Sequence, residues 1–277
     1  MNDRSLLFPH TALGFRGLLA ALLLAVSTVA SVSAELTLVV QGERFSDARN
    51  LSAVPGFLSE ALGQPVRLEL RQNPLEHWRH LAAGERPAMV LEDPHFADYR
   101  VTRSGYRIVA AVEGRQVFTL AAGGFFLLDP MDLAGQPVAA LSPPSLSTLQ
   151  LLAFFPDAVH MPRIIESPSY RVAAARVYAN EAVVAVLPAD NLGIYSGLKG
   201  MLLMEELPGK AFCVSPDVAE AVADRITAAL LGAAGRPDGR RALTQLEIAG
   251  FVRGHREAYD GLSRLLKGSW GFRQIRP

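Results

Sequence analysis

The sequence predicts an α/β fold made of two successive blocks, each a mainly parallel sheet flanked by helices. Three observations support this prediction. Short apolar runs alternate with segments whose apolar residues recur at helical spacing. The alternation restarts after Gly114. From Pro216 onward the chain is predicted to be helical, and this tail is long enough to return to the first block.

The first block, at residues 35–115, is predicted to contain four strands and up to three helices. Its opening run, Leu36–Val40, is mostly apolar, which is typical of a buried parallel strand. Apolar residues from Leu51 to Leu62 have helical spacing, and Gly63 should end that helix. The other predicted elements are strands at 66–70, 88–91 and 107–112, and helices at 74–83 and from residue 96.

The second block, at residues 120–205, contains the wholly apolar run Val183–Leu187, which suits a buried central strand. Residues 117–120 and 125–128 are expected to form a crossing segment. Further strands are predicted at 137–141, 163–166 and 201–205, and one more at 211–214 after this block, with helices at 149–155 and 170–177. The tail is predicted to form helices at 218–231, 239–249 and 255–266. Ser215 and Asp217 are expected to cap the first of these.

Composition limits the class of protein. Half of the 277 residues are hydrophobic and 19% are charged, so a sizeable core is expected. The 27 basic and 27 acidic residues balance without a basic stripe, which argues against nucleic acid as a partner. Cys213 is the only cysteine and lies in an apolar run, so we expect no internal disulfide and a buried, unreactive thiol.

The N-terminus has the pattern of a secretory signal peptide. Arg4 and Arg16 precede an apolar run from Gly17 to about Val29, and small residues lead up to Ala34. This run is shorter than the roughly 20 residues that a transmembrane helix needs. We therefore predict that residues 1–34 are a signal peptide cleaved after Ala34, which leaves a diffusible protein outside the cytoplasm.

The loop at residues 142–148 is the strongest candidate for a binding site. It joins a predicted strand to a helix, and it places Ser145, Ser147 and Thr148 where a helix has unpaired backbone N–H groups. Those groups and the helix dipole favour an anion. The alternative is an ordinary N-cap, because Ser and Thr are common capping residues.

Other polar residues follow predicted strands and are expected to face a cleft between the two blocks. Glu92, His95 and Tyr99 come after the third strand, where the alternative is a capping turn at Asp93-Pro94. Ser169 and Tyr170 start a helix of the second block, where the alternative is again simple capping. Asp190 and Asn191 are either cleft groups or turn residues.

Evidence for catalysis or a metal is weak in this sequence. His77 and His80 are three residues apart on a predicted helix and could share a metal. We favour a surface pair without metal, because no third ligand can be identified. No nucleophile elbow, P-loop, dinucleotide fingerprint or metalloprotease motif occurs, so no catalytic residue, cofactor or metal site is predicted.

Several motifs, taken in order, resemble the periplasmic solute-binding proteins of phosphate, phosphite and phosphonate ABC transporters. The signal peptide is followed directly by a strand, and Asp93–Arg100 is similar to that family's loop after the third strand. Asp132–Ala139 resembles the segment that begins its second lobe, and Ser145–Thr148 stands where the family has an anion-binding Ser-Thr-Ser loop. Gly239–Leu266 resembles its C-terminal helices.

This resemblance implies the type 2 two-lobed fold with a ligand cleft between the lobes. Lobe 1 would comprise residues 35–117 and 208–277, and lobe 2 residues 118–207. Two departures argue against an aminophosphonate ligand. Glu166–Tyr170 lacks the histidine of the phosphonate binders, and Ala182–Ala185 lacks the carboxylate that would pair with an ammonium group.

The expected function is capture of a small oxyanion, similar to phosphate or phosphonate, for an ABC permease at the inner membrane. We expect a monomer and no enzymatic activity. One alternative is a periplasmic sensor that signals to a membrane receptor, and a less favoured one is an enzyme on the same fold that uses Cys213 or the His77/His80 pair. The ligand-binding residues that we predict are Glu92, His95, Tyr99, Ser145, Ser147, Thr148, Ser169 and Tyr170.

Overall fold

The computed structural model describes residues 35–42, 48–124, 126–155 and 157–273. The predicted signal peptide, residues 1–34, lies outside this part of the chain, and its cleavage stays a prediction. No helix of the described residues is long and apolar enough to cross a membrane. The described residues form two α/β lobes, each organised around its own sheet.

The regular elements alternate along most of the chain, as predicted. The strands are β1 (Leu36–Gln41), β2 (Val66–Arg71), β3 (Met89–Glu92), β4 (Arg107–Val112), β5 (Arg115–Gln116), β6 (Phe118–Ala122), β7 (Pro137–Leu141), β8 (Arg163–Ser167), β9 (Val184–Pro188), β10 (Lys199–Leu203), β11 (Leu207–Pro208), β12 (Ala211–Val214) and β13 (Phe251–Arg253). The α-helices are α1 (Ala53–Leu62), α2 (Pro74–Ala82), α3 (Pro94–Ser104), α4 (Leu146–Leu152), α5 (Tyr170–Tyr178), α6 (Glu220–Leu231) and α7 (Pro237–Leu246).

Lobe 1 contains a six-stranded sheet with the order β13-β4-β12-β3-β1-β2. Strand β1 pairs parallel with β2 and β3, whereas β12 lies antiparallel between β3 and β4. Helices α1, α6 and α7 pack on this sheet through one apolar cluster that includes Phe57, Ile226 and Leu243. Helix α1 ends as predicted at Gly63, which adopts the left-handed conformation with φ +65°.

Lobe 2 contains a five-stranded sheet with the order β10-β6-β9-β7-β8. Strand β7 pairs parallel with both β8 and β9, so these three strands end at one edge of the sheet. Strands β7 and β9 are buried over most or all of their length, which explains their continuous apolar runs. Helices α4 and α5 begin directly beyond the carboxyl ends of β7 and β8, and their first residues therefore lie at that edge.

The chain passes between the lobes at β5 and β11, which pair antiparallel with each other. Next to this crossing, a side chain at Gly209 would overlap the carbonyl oxygen of Val112, so the close approach requires glycine. The chain passes from the sheet of lobe 1 to the sheet of lobe 2 between β4 and β6, which is close to Gly114, where the sequence pattern restarts. The lobe boundaries at residues 117/118 and 207/208 stay a prediction.

The tail differs most from the prediction. Instead of a helix at 255–266, the chain forms 3₁₀ turns at Arg256–Ala258 and Leu262–Leu266, separated by Gly261 with φ +80°. Before these turns, β13 pairs with β4 and shortens the predicted helix at 239–249. The proposed caps of α6 are also wrong. The helix begins after Ala219, and the Ser215 hydroxyl accepts from the backbone N–H of Asp217 instead.

Candidate functional site

A cavity of about 580 Å³ lies between the lobes at the edge where β7, β8 and β9 end. Lobe 1 contributes the residues that follow β2 and one residue after α7, and lobe 2 contributes the loops after its parallel strands. The polar and charged residues that line it are Gln72, Asn73, Ser142, Ser167, Ser169, Tyr170, Arg171, Asn191, Tyr195 and Glu247. Carboxyl ends of parallel strands are the usual position of ligands in α/β proteins.

A second cavity of about 250 Å³ lies closer to the crossing between the lobes. Tyr170 lines both cavities, so the two adjoin at the start of α5. Asp190 lines the smaller cavity and Asn191 the larger one. Ser169 and Tyr170 are therefore placed at the cleft, although the Ser169 hydroxyl also accepts a capping bond from Val172 N–H at 3.3 Å.

The Ser-Thr loop, residues 145–148, is buried at the start of α4. The Thr148 hydroxyl donates to the carbonyl oxygen of Leu141 at 2.6 Å. Ser145 occupies the N-cap position but its side chain makes no capping bond. The Ser145 and Ser147 hydroxyl oxygens have no hydrogen-bond partner among the residues that the structure describes. These three residues do not line either cavity.

His95 of α3 brings lobe 1 into contact with Pro144, which directly precedes the Ser-Thr loop. Its Nε2 atom lies 2.9 Å from the carbonyl oxygen of Pro144, and because a carbonyl only accepts, Nε2 carries the proton. Burial lowers the pKa of His95 to about 4 even though the Asp93 carboxylate acts in the opposite direction. The imidazole is therefore neutral at pH 7, and its buried Nδ1 atom has no partner within the described residues.

Glu92 is enclosed in a buried ionic network. Its carboxylate accepts from Arg100 Nε at 2.7 Å, from Arg100 Nη2 at 3.1 Å and from His77 Nε2 at 2.7 Å. Burial alone would raise the pKa of Glu92, but the Arg100 charge and the His77 bond lower it to about 2. Because the carboxylate accepts three hydrogen bonds and is fully buried, Glu92 forms part of the interior of lobe 1.

Tyr99 packs inside an apolar group that we call the tryptophan cluster. Its ring lies edge-on to Trp78, with 5.0 Å between centroids. The cluster consists of Trp78, Leu81, Phe96, Tyr99, Leu149 and Leu266. Leu149 belongs to α4, so the cluster joins helices of both lobes immediately behind the Ser-Thr loop.

The structure reveals cleft residues that the sequence analysis missed. Lys210 lines the smaller cavity, and its Nζ atom donates to Asp93 Oδ1 at 2.5 Å and to Gln41 Oε1 at 2.9 Å. Burial would raise the pKa of Asp93, but the Lys210 charge keeps it below the usual value. Arg171 supplies a second cation at the larger cavity. Neither residue belongs to a recognisable motif. For Lys210, the only signal in the sequence was that lysine is rare in this chain.

The alternative hypotheses named His77, His80 and Cys213, and the structure shows the surroundings of each. His77 is buried against Glu92 rather than at the surface, which corrects the surface-pair prediction, and His80 bonds Glu85 at 2.6 Å instead. Among the described residues, no group of three His, Cys, Asp or Glu side chains could hold a metal. Cys213 is buried as predicted, and burial raises the pKa of its thiol well above the usual value.

Comparison with known proteins identifies a matching family model and a shared fold. A family model described as "ABC transporter, phosphonate, periplasmic substrate-binding protein" matches residues 48–259. A Xanthomonas citri protein solved with bound ATP has a TM-score of 0.71 at 16% identity, over 85% of this chain and 98% of that chain. The comparison with curated proteins finds no match.

Two further solved structures share the two-lobed type 2 architecture. PhnD1 from Prochlorococcus marinus in complex with methylphosphonate has a TM-score of 0.68 at 10% identity, over 84% of this chain and 97% of that chain. A binding-protein component of a phosphonate ABC transporter from Pseudomonas aeruginosa has a TM-score of 0.67 at 12% identity, over 83% and 85%. At these identities the likeness concerns the fold.

Proposed function

Because this chain belongs to the family of periplasmic substrate-binding proteins of phosphonate ABC transporters, we propose that it is exported and captures a small phosphate- or phosphonate-like oxyanion. The protein would be a monomer and would present this ligand to an ABC permease at the inner membrane. One observation carries the proposal of an anion site. The buried hydroxyls of Ser145 and Ser147 have no partner among the described residues.

The chemistry of the Ser-Thr loop suits an oxyanion. Buried polar atoms are normally hydrogen-bonded, so two orphaned hydroxyls at one helix start mark a place where ligand atoms complete the bonding. Each hydroxyl can donate to an oxygen of phosphate or phosphonate. The first turn of α4 adds backbone N–H donors and the positive end of the helix dipole. Capture requires such donors and no catalytic base.

The remaining predicted residues would surround the anion from both lobes. His95 would contribute from α3, and Ser169 and Tyr170 from the start of α5. Tyr99 would act indirectly, by packing against Trp78 behind the Ser-Thr loop. The adjoining cavity of about 580 Å³ would accept an organic substituent on the anion. The Glu92 carboxylate already accepts hydrogen bonds from Arg100 of α3 and His77 of α2. We therefore assign Glu92 a structural role, in which it fixes these two helices to lobe 1.

The first test is a thermal-shift screen of the mature protein against phosphate, phosphite, methylphosphonate, sulfate and small organic acids. A compound that binds only the folded protein, at about 100 times its Kd, should add roughly 2.7 kcal/mol to the free energy of unfolding. We expect this shift with a phosphorus oxyanion and not with the organic acids. Stabilisation by organic acids alone would contradict the proposed ligand class.

The second test replaces Ser147 with alanine and uses the compound that the screen identifies. A hydrogen bond to a charged group contributes about 1.5–3 kcal/mol, so Ser147→Ala should weaken binding roughly 10- to 100-fold. Isothermal titration calorimetry measures the Kd, and a melting curve on the same protein measures its stability. The alternative, a purely structural role at the helix start, predicts little change in Kd.

Ser52→Ala is the matched control for this experiment. Ser52 is an exposed serine at the start of α1 and makes no side-chain capping bond. This variant should leave both the Kd and the melting temperature unchanged. If Ser147→Ala also binds the ligand with unchanged affinity, the Ser-Thr loop is a structural helix start and not the anion site.

A further inference from the structure

The C-terminal segment, residues 255–273, follows β13 and lies against the crossing between the lobes. The buried Tyr259 side chain donates from its hydroxyl to the carbonyl oxygen of Gly209 at 2.9 Å. Gly209 lies between β11 and β12, where the chain returns to lobe 1. The segment is therefore fastened to the part of the chain about which the lobes would move.

The same segment is fixed to lobe 1 at three further places. The backbone N–H of Ser263 donates to Asp98 Oδ2 of α3 at 2.8 Å. Trp78 Nε1 of α2 donates to the carbonyl oxygen of Trp270 at 2.6 Å. Phe272 approaches the Tyr99 ring with 5.8 Å between centroids. These bonds fix both the middle and the end of the segment on one surface of lobe 1.

Two leucines of the segment reach lobe 2. Leu262 is buried within the core cluster of lobe 2, together with Leu146 and Leu151 of α4. Leu265 packs against both this core and the tryptophan cluster. Leu266 lies fully buried in the tryptophan cluster, where Leu149 of α4 meets the aromatic rings of lobe 1. One short segment thus shares apolar contacts with both lobes.

We propose that the C-terminal segment is a strap that keeps α4 docked on lobe 1 and restricts opening of the lobes in the absence of ligand. Separation at α4 requires Leu262 and Leu265 to leave lobe 2 or the segment to leave lobe 1, and either change exposes buried apolar surface to water. The His95–Pro144 hydrogen bond acts across the same contact. The proposal depends on these contacts and not on the identity of the ligand.

The strap also determines the side from which a ligand reaches the cleft. The cavity of about 580 Å³ is bordered by exposed residues of both lobes, among them Asn73 and Arg171. Solvent reaches this cavity with the strap in place. Ligand exchange would therefore use the edge formed by α2 and α5, while the edge at α4 stays closed.

The test measures the distance between the lobes by pulsed electron paramagnetic resonance. Spin labels are placed on the full mature chain at Arg103→Cys in α3 and Ala175→Cys in α5, which are exposed positions, while the native Cys213 is buried and stays unlabelled. Before labelling, the protein is unfolded in denaturant, dialysed and refolded to remove any bound ligand, so that Cys213 is buried again when the labels are added. We expect a single narrow distance distribution, and Leu262→Ala should add a population at longer distance.

Leu265→Ala, at a partly buried position, provides a second variant in case Leu262→Ala does not fold. Leu230→Ala is the matched control, because Leu230 is buried in the lobe 1 core that α1, α6 and α7 form. It should leave the distance distribution narrow. A broad distribution in the parent protein, no change in the strap variants, or equal broadening in Leu230→Ala would each overturn the proposal.

Discussion

Replacing Glu92 with alanine is expected to lower the free energy of unfolding by about 3–5 kcal/mol. The carboxylate is fully buried and holds the Arg100 guanidinium and the His77 ring by three hydrogen bonds. Its removal leaves the Arg100 charge buried without its counter-ion, and an uncompensated buried charge is strongly destabilising. Urea denaturation of the two proteins at pH 7 measures the difference.

The matched control is Glu206→Ala, which removes another carboxylate paired with an arginine. Glu206 lies 3.4 Å from Arg115, and both side chains are more than half exposed. Such surface pairs contribute about 0–1 kcal/mol, so this variant should have nearly the stability of the parent protein. Equal losses in the two variants, or a Glu92 variant that keeps its stability but loses ligand affinity, would contradict the structural role that we assign to Glu92.

The strands were predictable because their burial is visible in the sequence itself. The apolar runs at β7 and β12 give the observed bounds residue for residue, since a strand buried on both faces has no polar alternation. What the runs do not encode is pairing. The antiparallel insertion of β12 between β3 and β4 joins residues roughly 100 to 125 positions apart in the chain, and no local pattern specifies it.

The error in the tail has a local cause. Leu262, Leu265 and Leu266 have the spacing of a helix face, but Gly261 adopts φ +80° immediately before them. The leucines then form a 3₁₀ turn that divides its contacts between the two lobes. The apolar spacing of these leucines therefore predicted their burial correctly. It did not predict the type of helix, because their contacts are divided between two lobes.

The helix start at the candidate site was predictable, and its surroundings were not. The arrangement of strand, loop and helix placed Ser145 and Ser147 at a helix start, which the structure reproduces. The contact with His95 from lobe 1 requires knowledge of how the lobes meet. His77 illustrates the same limit, because its partner Glu92 lies 15 residues away on another element, and a helix of mixed polarity gave no reason to expect burial.

Acidification is expected to destabilise the protein between pH 6.5 and about pH 4 through His95. The folded protein holds this ring neutral down to about pH 4, whereas in the unfolded chain it binds a proton near pH 6.5. Between these values the unfolded state binds more protons, so the free energy of unfolding falls as the pH falls. The shift corresponds to on the order of 3 kcal/mol at the lower end of this window.

The acidic neighbours of His95 stay ionised in the folded protein within this window. Glu92 has a pKa of about 2, and the Lys210 charge keeps the pKa of Asp93 below its usual value. Burial also lowers the pKa of His77, so His77 destabilises the protein in the same direction and part of the total effect belongs to it. The contribution of His95 must therefore be isolated by a variant that keeps its hydrogen bond.

His95→Gln is that variant, because its amide can still donate to the carbonyl oxygen of Pro144 and does not titrate. Urea denaturation of both proteins at several pH values from 4 to 7 gives the slope of stability against pH. The variant should lose less stability than the parent protein over this range, by roughly the 3 kcal/mol assigned to His95. Parallel curves of stability against pH would contradict this prediction, because they would show that the folded protein does not hold His95 neutral.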